Sequence, residues 1–338
     1  MSTILVTGGA GYLGSHTCVE LLERNHDVLV VDNLSNGCLE SLHRVEQITG
    51  KAVRFVEGDV RDRPFLDTVF RNNSISLVIH FAGLKAVAES CSIPLVYYDN
   101  NVAGAITLCQ SMADNDVRNL VFSSAATVYG EPASVPVTED FPLSATNPYG
   151  RSKLIIEEIL TDLHRADDRW NIALLRYFNP VGAHPSGLIG EDPGGVPGNL
   201  MPLVTRVAIG KQKRLQVFGN DYPTPDGTGV RDYIHVQDLA RGHVCAIRRL
   251  QENCGIRAWN LGVGQGHSVL EMVSALEQVS GRPVPYDIVA RRPGDIATCY
   301  ADPARARLEL GWSAEKTLDD MVSDAWRWQL QNPDGYRG

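Results

Sequence analysis

No run of apolar residues in the 338-residue chain approaches the ~18 that a membrane span needs. Basic residues are in deficit, 31 against 40 acidic, for a net charge of -9. A general binder of nucleic acid or anionic membrane would carry the opposite excess. Cysteine is sparse: seven residues, at 18, 38, 91, 109, 245, 254 and 299, with no C-x-x-C spacing. That pattern excludes a disulfide framework and a zinc site, and suits reduced thiols in a cytoplasm. The histidines lack metal-ligand spacing with nearby carboxylates, so no metal is expected. Met1-Ser2-Thr3 runs into Ile4-Leu5-Val6 without the basic start of a signal peptide. Internal repeats and low-complexity segments are missing too. What is present is globular in character, 43% hydrophobic and 21% charged, with enough apolar side chains for a sizeable core. At ~150 residues per domain the length suits two structural units. A soluble cytoplasmic enzyme is expected.

The first half alternates short β-branched runs with amphipathic stretches. Strands are predicted at Ile4–Thr7, Val28–Asp32, Val53–Glu57, Leu77–His80, Leu120–Ser124 and Ile172–Tyr177, and helices at Gly14–Arg24, Pro64–Asn72, Val102–Asp114 and Tyr149–Ala166. Such alternation implies a doubly wound parallel sheet of the Rossmann type, an α/β fold, with ligands at the carboxyl ends of the strands. Residues 179–232 are rich in Pro and Gly, which suits a loop-dominated lobe over a binding site. Segment 234–262 reads as a further helix and strand returning to the sheet, and the tail carries helices at Val269–Val279 and Leu318–Gln329. The division expected is residues 1–178 with 232–262 for a dinucleotide, and a smaller, loop-rich α+β unit, 179–231 with 263–338, for the substrate.

Directly after the first strand comes Gly8-Gly9-Ala10-Gly11-Tyr12-Leu13-Gly14. A glycine turn between a strand and a helix lets backbone N–H groups cradle a pyrophosphate. The second strand ends in Asp32, eighteen residues after Gly14. A carboxylate there accepts both ribose hydroxyls and repels a 2′-phosphate, so NAD is expected over NADP. Asp59 is placed near the adenine, or serves simply as a turn aspartate.

The G-x-x-G-x-x-G spacing resembles the extended short-chain dehydrogenase/reductases, which pair a tyrosine with a lysine one helical turn on. Asn147-Pro148-Tyr149-Gly150-Arg151-Ser152-Lys153 supplies that pair, with Asn147 as N-cap and Pro148 at the first helical position. Lowering a tyrosine from pKa ~10 to 7 takes about 4 kcal/mol. Two cations, Lys153 and an oxidised nicotinamide, each supply about 3 kcal/mol at ~5 Å and an effective dielectric of ~20. They suffice before any desolvation of the tyrosinate is counted.

Longer stretches carry a closer resemblance, to the UDP-glucose 4-epimerase family, along nearly the whole chain. They include His80–Val87, Tyr97–Asn101, Val121–Gly130, Leu175–Pro185, Asn199–Pro202 and Asp226–His235. The resemblance implies reversible epimerisation at C4 of UDP-glucose and UDP-galactose through a 4-keto intermediate, on tightly held NAD. Tyr149 is then the catalytic base, and Lys153 supports it and the nicotinamide ribose. Gly8, Gly11, Tyr12, Leu13, Gly14, Asp32, Asn33, Asp59, Val60, Phe81, Ala82, Lys85, Asn100 and Phe178 would line the NAD cleft. Asn179, Asn199, Leu200, Phe218, Arg231, Arg292 and Asp295 match positions around sugar, pyrophosphate, uracil and ribose, with Lys85, Ala125, Thr127 and Tyr149 at the substrate end. Arg291 adjoins Arg292, so one of the two is expected to point inward.

Two positions depart from the common pattern. Ala125 stands where similar epimerases carry a serine or threonine between tyrosine and sugar. Strand alternation turns the neighbouring Ser124 away, while Thr127, two residues on, is placed to face the site. An impaired enzyme is expected, slowed roughly 10- to 150-fold for one lost charge-assisted hydrogen bond. Cys299 stands where glucose- and galactose-restricted relatives carry tyrosine, which opens space for an N-acetyl group and extends the expected substrates to UDP-GlcNAc and UDP-GalNAc. A 4,6-dehydratase needs an acid–base pair that Ala125-Ala126-Thr127 does not offer. A simple dehydrogenase would need exchangeable cofactor. The other class left open is a catalytically impaired sensor that binds NAD and UDP-sugar. Helices carrying Leu108, Met112, Leu154, Ile155 and Leu163 suggest a homodimer.

Overall fold

The computed structural model describes residues 2–195, 197–292 and 294–337. Six strands of the first half are β1 (Thr3–Thr7), β2 (Asp27–Asp32), β3 (Arg54–Glu57), β4 (Ile75–His80), β5 (Asn119–Ser123) and β6 (Asn171–Tyr177). With the strand Ile256–Leu261 they form one seven-stranded sheet, in the spatial order Ile256–Leu261, β6, β5, β4, β1, β2, β3. Every pairing is parallel. The order runs outward both ways from β1 and β4, so a crevice opens between their carboxyl ends, where ligands bind in such sheets.

The strands are apolar on both faces because both are covered. Ile4 and Val6 face a core shared with Cys18, Leu21 and Leu22 of helix α1 (Tyr12–Glu23) and with Leu239, Ile247 and Leu250 of helix Val236–Gln251. Leu5 faces the opposite core, with Leu66 and Phe70 of helix Arg63–Asn72, Leu108 and Met112 of helix Gly104–Asp114, and Ile156 and Leu160 of helix Pro148–Ala166. The predicted strands and the return of segment 234–262 to the sheet are observed.

Three expectations are corrected. Helix Leu39–Thr49 was not foreseen, and the Pro/Gly-rich segment contains helix Leu200–Ala208. Pro202 misled there; it lies in the first turn, where a missing N–H breaks no helical bond. That helix packs Met201, Val204 and Val207 against Met272, Leu276, Met321 and Trp326 in a separate core. Third, Leu108 and Met112 are fully buried beneath the sheet and give no apolar surface for a partner. The exposed apolar side chains nearby are Ile93, Leu95, Val96 and Ile106. Among the described residues no helix is long and apolar enough to cross a membrane.

Candidate active site

The glycine turn follows from close packing at the crevice. Gly8 adopts φ +73°, and a Cβ there would lie 2.6 Å from the Ala82 nitrogen. At Gly14 a Cβ would meet the Gly8 carbonyl at 2.3 Å. The loop after β4 closes on the end of β1, with Phe81 and Ala82 N–H groups donating to the Thr7 carbonyl at 3.0 and 3.1 Å. Gly11 caps α1 without a side chain, and the first turn holds no acid, so its free N–H dipoles face the crevice. Asp32, buried at the end of β2, accepts from the Ala10 and Leu34 N–H groups at 3.0 and 2.9 Å. Burial pushes its carboxyl up. Arg44, the next cation along the chain, is committed to Glu40, the Leu188 carbonyl and Asn332. Asp59 behaves as a turn aspartate that also holds Asn33 at 3.0 Å, and its bond to Arg61 keeps it well below the carboxylate range. His80 is a satisfied strand-end residue, 2.7 Å from the Thr7 hydroxyl.

Across the crevice, Asn147 caps helix Pro148–Ala166 by accepting from the Gly150 N–H at 2.9 Å. Tyr149 and Lys153 face inward from its first turns, both buried. The Lys153 ammonium donates to the Ser123 carbonyl at 2.7 Å and lies 4.9 Å from the Phe122 ring centroid. Burial lowers it to about 8, against the opposing pull of Glu157. Desolvation, left out of the charge arithmetic, dominates at Tyr149. Burial first, then Tyr177 and Tyr97, hold its hydroxyl well above the ordinary tyrosine value.

Ala125 packs with Tyr149 and Tyr97, so position 125 faces the tyrosine as expected. Ser124 points the other way and donates to the Glu157 carboxylate at 2.5 Å. Thr127 sits beyond the end of β5, in the 3-10 turn Ala126–Tyr129, where strand alternation no longer applies. Its hydroxyl is buried without a partner, and its backbone abuts Gly150.

Two groups at the tyrosine end were missed by sequence reasoning. Asn101 is buried, bridges the Leu84 backbone at 2.8 and 3.0 Å, and donates to Ser152 at 3.0 Å, which ties the loop after β4 to the tyrosine helix. Its only signal was the second asparagine of Asp99-Asn100-Asn101. Glu157 forms a bidentate pair with Arg176 of β6, at 3.0 and 2.6 Å. Arg176 reaches on to the Tyr129 hydroxyl at 3.1 Å, and that hydroxyl donates to Asn260 at 2.6 Å.

At the far end, strand Thr298–Cys299 pairs with Val230–Arg231, which sets Cys299 beside Arg231. Cys299 is buried with Phe178, Val128 and Tyr129, and burial raises its thiol to about 11. Arg292 pairs with Asp295 at 2.9 Å and stands 5.6 Å from the Phe218 ring centroid. Its neighbour Arg291 turns away to Asp221 and the Tyr222 ring. Asn199 and Lys85 meet on one carboxylate, that of Glu191. Among the described residues no cluster of three or more His, Cys, Asp or Glu is disposed to hold a metal.

A family model described as GDP-mannose 4,6 dehydratase matches residues 5–325. A UDP-glucose 4-epimerase of Bacillus subtilis is 62% identical over 334 residues, covering 99% of this chain and 98% of the relative. The chain belongs to the UDP-glucose 4-epimerase family. A crystal structure of the family's member from Bifidobacterium longum, in complex with NAD+ and UDP, superposes with a TM-score of 0.96 at 55% identity and covers 99% and 100% of the two chains. A UDP-Glc/GlcNAc 4-epimerase from Campylobacter jejuni matches at 36% identity and TM-score 0.85, over 98% and 100%.

The Glu157–Arg176 pair carries a stability prediction. Both side chains are under a tenth exposed, and removing one partner of a buried pair strands the other charge. Glu157→Ala should cost about 3–5 kcal/mol in urea unfolding, with Glu157→Gln in between. A loss under about 1 kcal/mol would remove the pair from its structural role.

Proposed function

We propose that this member of the epimerase family interconverts UDP-glucose and UDP-galactose at C4 with NAD resident in the cleft. The observation that carries the reading is Tyr149 packed on Ala125, with Lys153 one helical turn on donating to the Ser123 carbonyl at the end of β5. The residues fit the cofactor. The first turn of α1, which no side chain caps, leaves backbone N–H groups for a pyrophosphate, and Asp32 keeps acceptor capacity for ribose hydroxyls with no cation beside it among the described residues. NAD, when bound, would supply a reversible hydride acceptor for C4 of the sugar. Tyr149 removes the 4-hydroxyl proton and gives it back. Lys153 supplies the nearby positive charge that offsets the desolvation of the tyrosinate. Residues 1–178 with 232–262 hold the cofactor, through Tyr12, Leu13, Asn33, Val60, Phe81, Ala82, Lys85, Asn100 and Phe178 besides the turn. Residues 179–231 with 263–338 hold UDP, the arginines 231 and 292 meeting the pyrophosphate.

Ala125 puts a methyl where a hydroxyl would bridge Tyr149 and the sugar, and this favours the second reading, a sensor that binds both ligands. Tyr149 and Lys153 are both retained, which favours slow catalysis. Substrate breadth follows from Cys299, whose small side chain leaves room at C2; the Campylobacter jejuni structure at 36% identity bears a name that includes both sugars. The apolar side chains Ile93, Leu95, Val96 and Ile106, exposed along the edge that leads into helix Gly104–Asp114, are read as a homodimer face.

Purified protein given UDP-galactose and no added NAD should form UDP-glucose slowly, and Ala125→Ser should run roughly 10- to 150-fold faster. No turnover in either, with NAD bound, would favour the sensor. The parent should also convert UDP-GalNAc, and Cys299→Tyr should lose that activity while keeping UDP-galactose; a parent inactive on UDP-GalNAc sinks the broad specificity. Sedimentation should give a dimer that Leu95→Glu dissociates, and a monomeric parent at tens of micromolar would refute the dimer face.

A further inference from the structure

One carboxylate outside the expected site bridges the cofactor and substrate sides of the cleft. Glu191 Oε1 accepts from the Lys85 ammonium at 2.8 Å and from the Asn199 amide at 2.6 Å. Lys85 belongs to the loop after β4. Asn199 is the N-cap residue of helix Leu200–Ala208, yet its side chain makes no capping bond to that helix. Pro202, third in that helix, has no N–H for an asparagine cap to bond, and the Asn199 amide nitrogen donates to Glu191 instead.

The segment carrying Glu191 is held rigidly. The Tyr336 hydroxyl lies 3.1 Å from the Gly190 nitrogen and 3.2 Å from its carbonyl, and Asp192 accepts from the Tyr336 N–H at 2.8 Å. A Cβ at Gly190 would lie 2.4 Å from the Trp328 ring, so the chain is pressed against that side chain. Further along, the Gly194 N–H donates to Asn36 at 3.1 Å in the loop after β2. The carboxylate itself is 9% exposed, and Lys85 stands 6.0 Å from the Tyr12 ring centroid at the start of α1. One fixed segment therefore reaches the loops after β2 and β4 and the start of the helix that carries Asn199.

We propose that Glu191 is a positioning residue that couples the two halves of the cleft, orienting Lys85 for the cofactor and Asn199 for the nucleotide diphosphate. This rests on the roles given above to Lys85 and Asn199. Without the carboxylate, the Lys85 ammonium swings free on its flexible stem, and the Asn199 amide loses the acceptor that holds it at 2.6 Å. The two bonds differ in what they require. Lys85 responds to the negative charge, whereas Asn199 needs only an acceptor oxygen, which an amide also supplies.

That difference gives a test on the intact holo-protein. UDP affinity is read by calorimetry, and NAD retention by the nucleotide released on gel filtration. Glu191→Ala should weaken UDP about 10-fold or more and speed NAD loss by a similar factor. Glu191→Gln should hold UDP within about twofold of the parent and still lose NAD faster, a split that a general loss of packing would not produce. In a Lys85→Met background, Glu191→Gln should add no further NAD loss. Parent-like UDP affinity and NAD retention in Glu191→Ala would overturn the proposal, as would equal losses of both ligands in the two variants. Neither readout needs turnover. An Ala125→Ser protein that fails to epimerise while these shifts appear would count against the epimerase reading and leave the coupling standing.

Discussion

Glu157 and Arg176 meet where water does not reach, between the tyrosine helix and β6, and the reactive end of the cleft is assembled on that pair. Two ions are removed from water only if nearly every lone pair and proton finds a partner. Here the carboxylate takes the guanidinium and the Ser124 hydroxyl, and the guanidinium continues to Tyr129 and the Glu139 carbonyl. Satisfying those groups fixes the backbone on both sides of Ala125. Ser124 is drawn away from the cleft, which turns Ala125 into it. The same carboxylate lies one helical turn from Lys153 and raises the proton affinity that burial lowers. The buried pair thus fixes the backbone beside Ala125, and its carboxylate opposes the lowering of Lys153 by burial.

What was legible in the sequence was local. The glycine turn needs small residues at fixed offsets because backbones touch there, and Gly8 against Ala82 shows that contact. Tyr149 and Lys153 could be read together because four residues on a helix return to one face. Asp32 was readable because a strand end places it at the crevice. The groups that were missed act across long separations. Glu157 pairs with a residue on another element, and Glu191 with one 106 positions away, so no window of sequence displays either contact. The orientation of Thr127 was beyond the reach of alternation, which holds only while a strand lasts, and β5 stops at Ser123. Pro202 was read as a loop signal, although the first turn of a helix tolerates it.

Position 125 separates binding from chemistry. Its side chain belongs to a small cluster with Tyr97 and Tyr149, while the charged groups assigned to the two ligands come from other elements: Asp32 from β2, Lys85 from the loop after β4, Arg231 and Arg292 from the second half. A hydroxyl at 125 would matter most as the tyrosine exchanges its proton with the sugar, when charge develops between them. An interaction that strengthens only in the transition state changes kcat and leaves ground-state affinity nearly untouched. The methyl of Ala125 is buried against Tyr149, so it keeps the wall of the site while removing that one bond. On the proposed reading, the loss of that bond leaves both ligands bound and costs only rate. Tight occupancy is then compatible with the epimerase and the sensor readings alike, and the rate alone divides them.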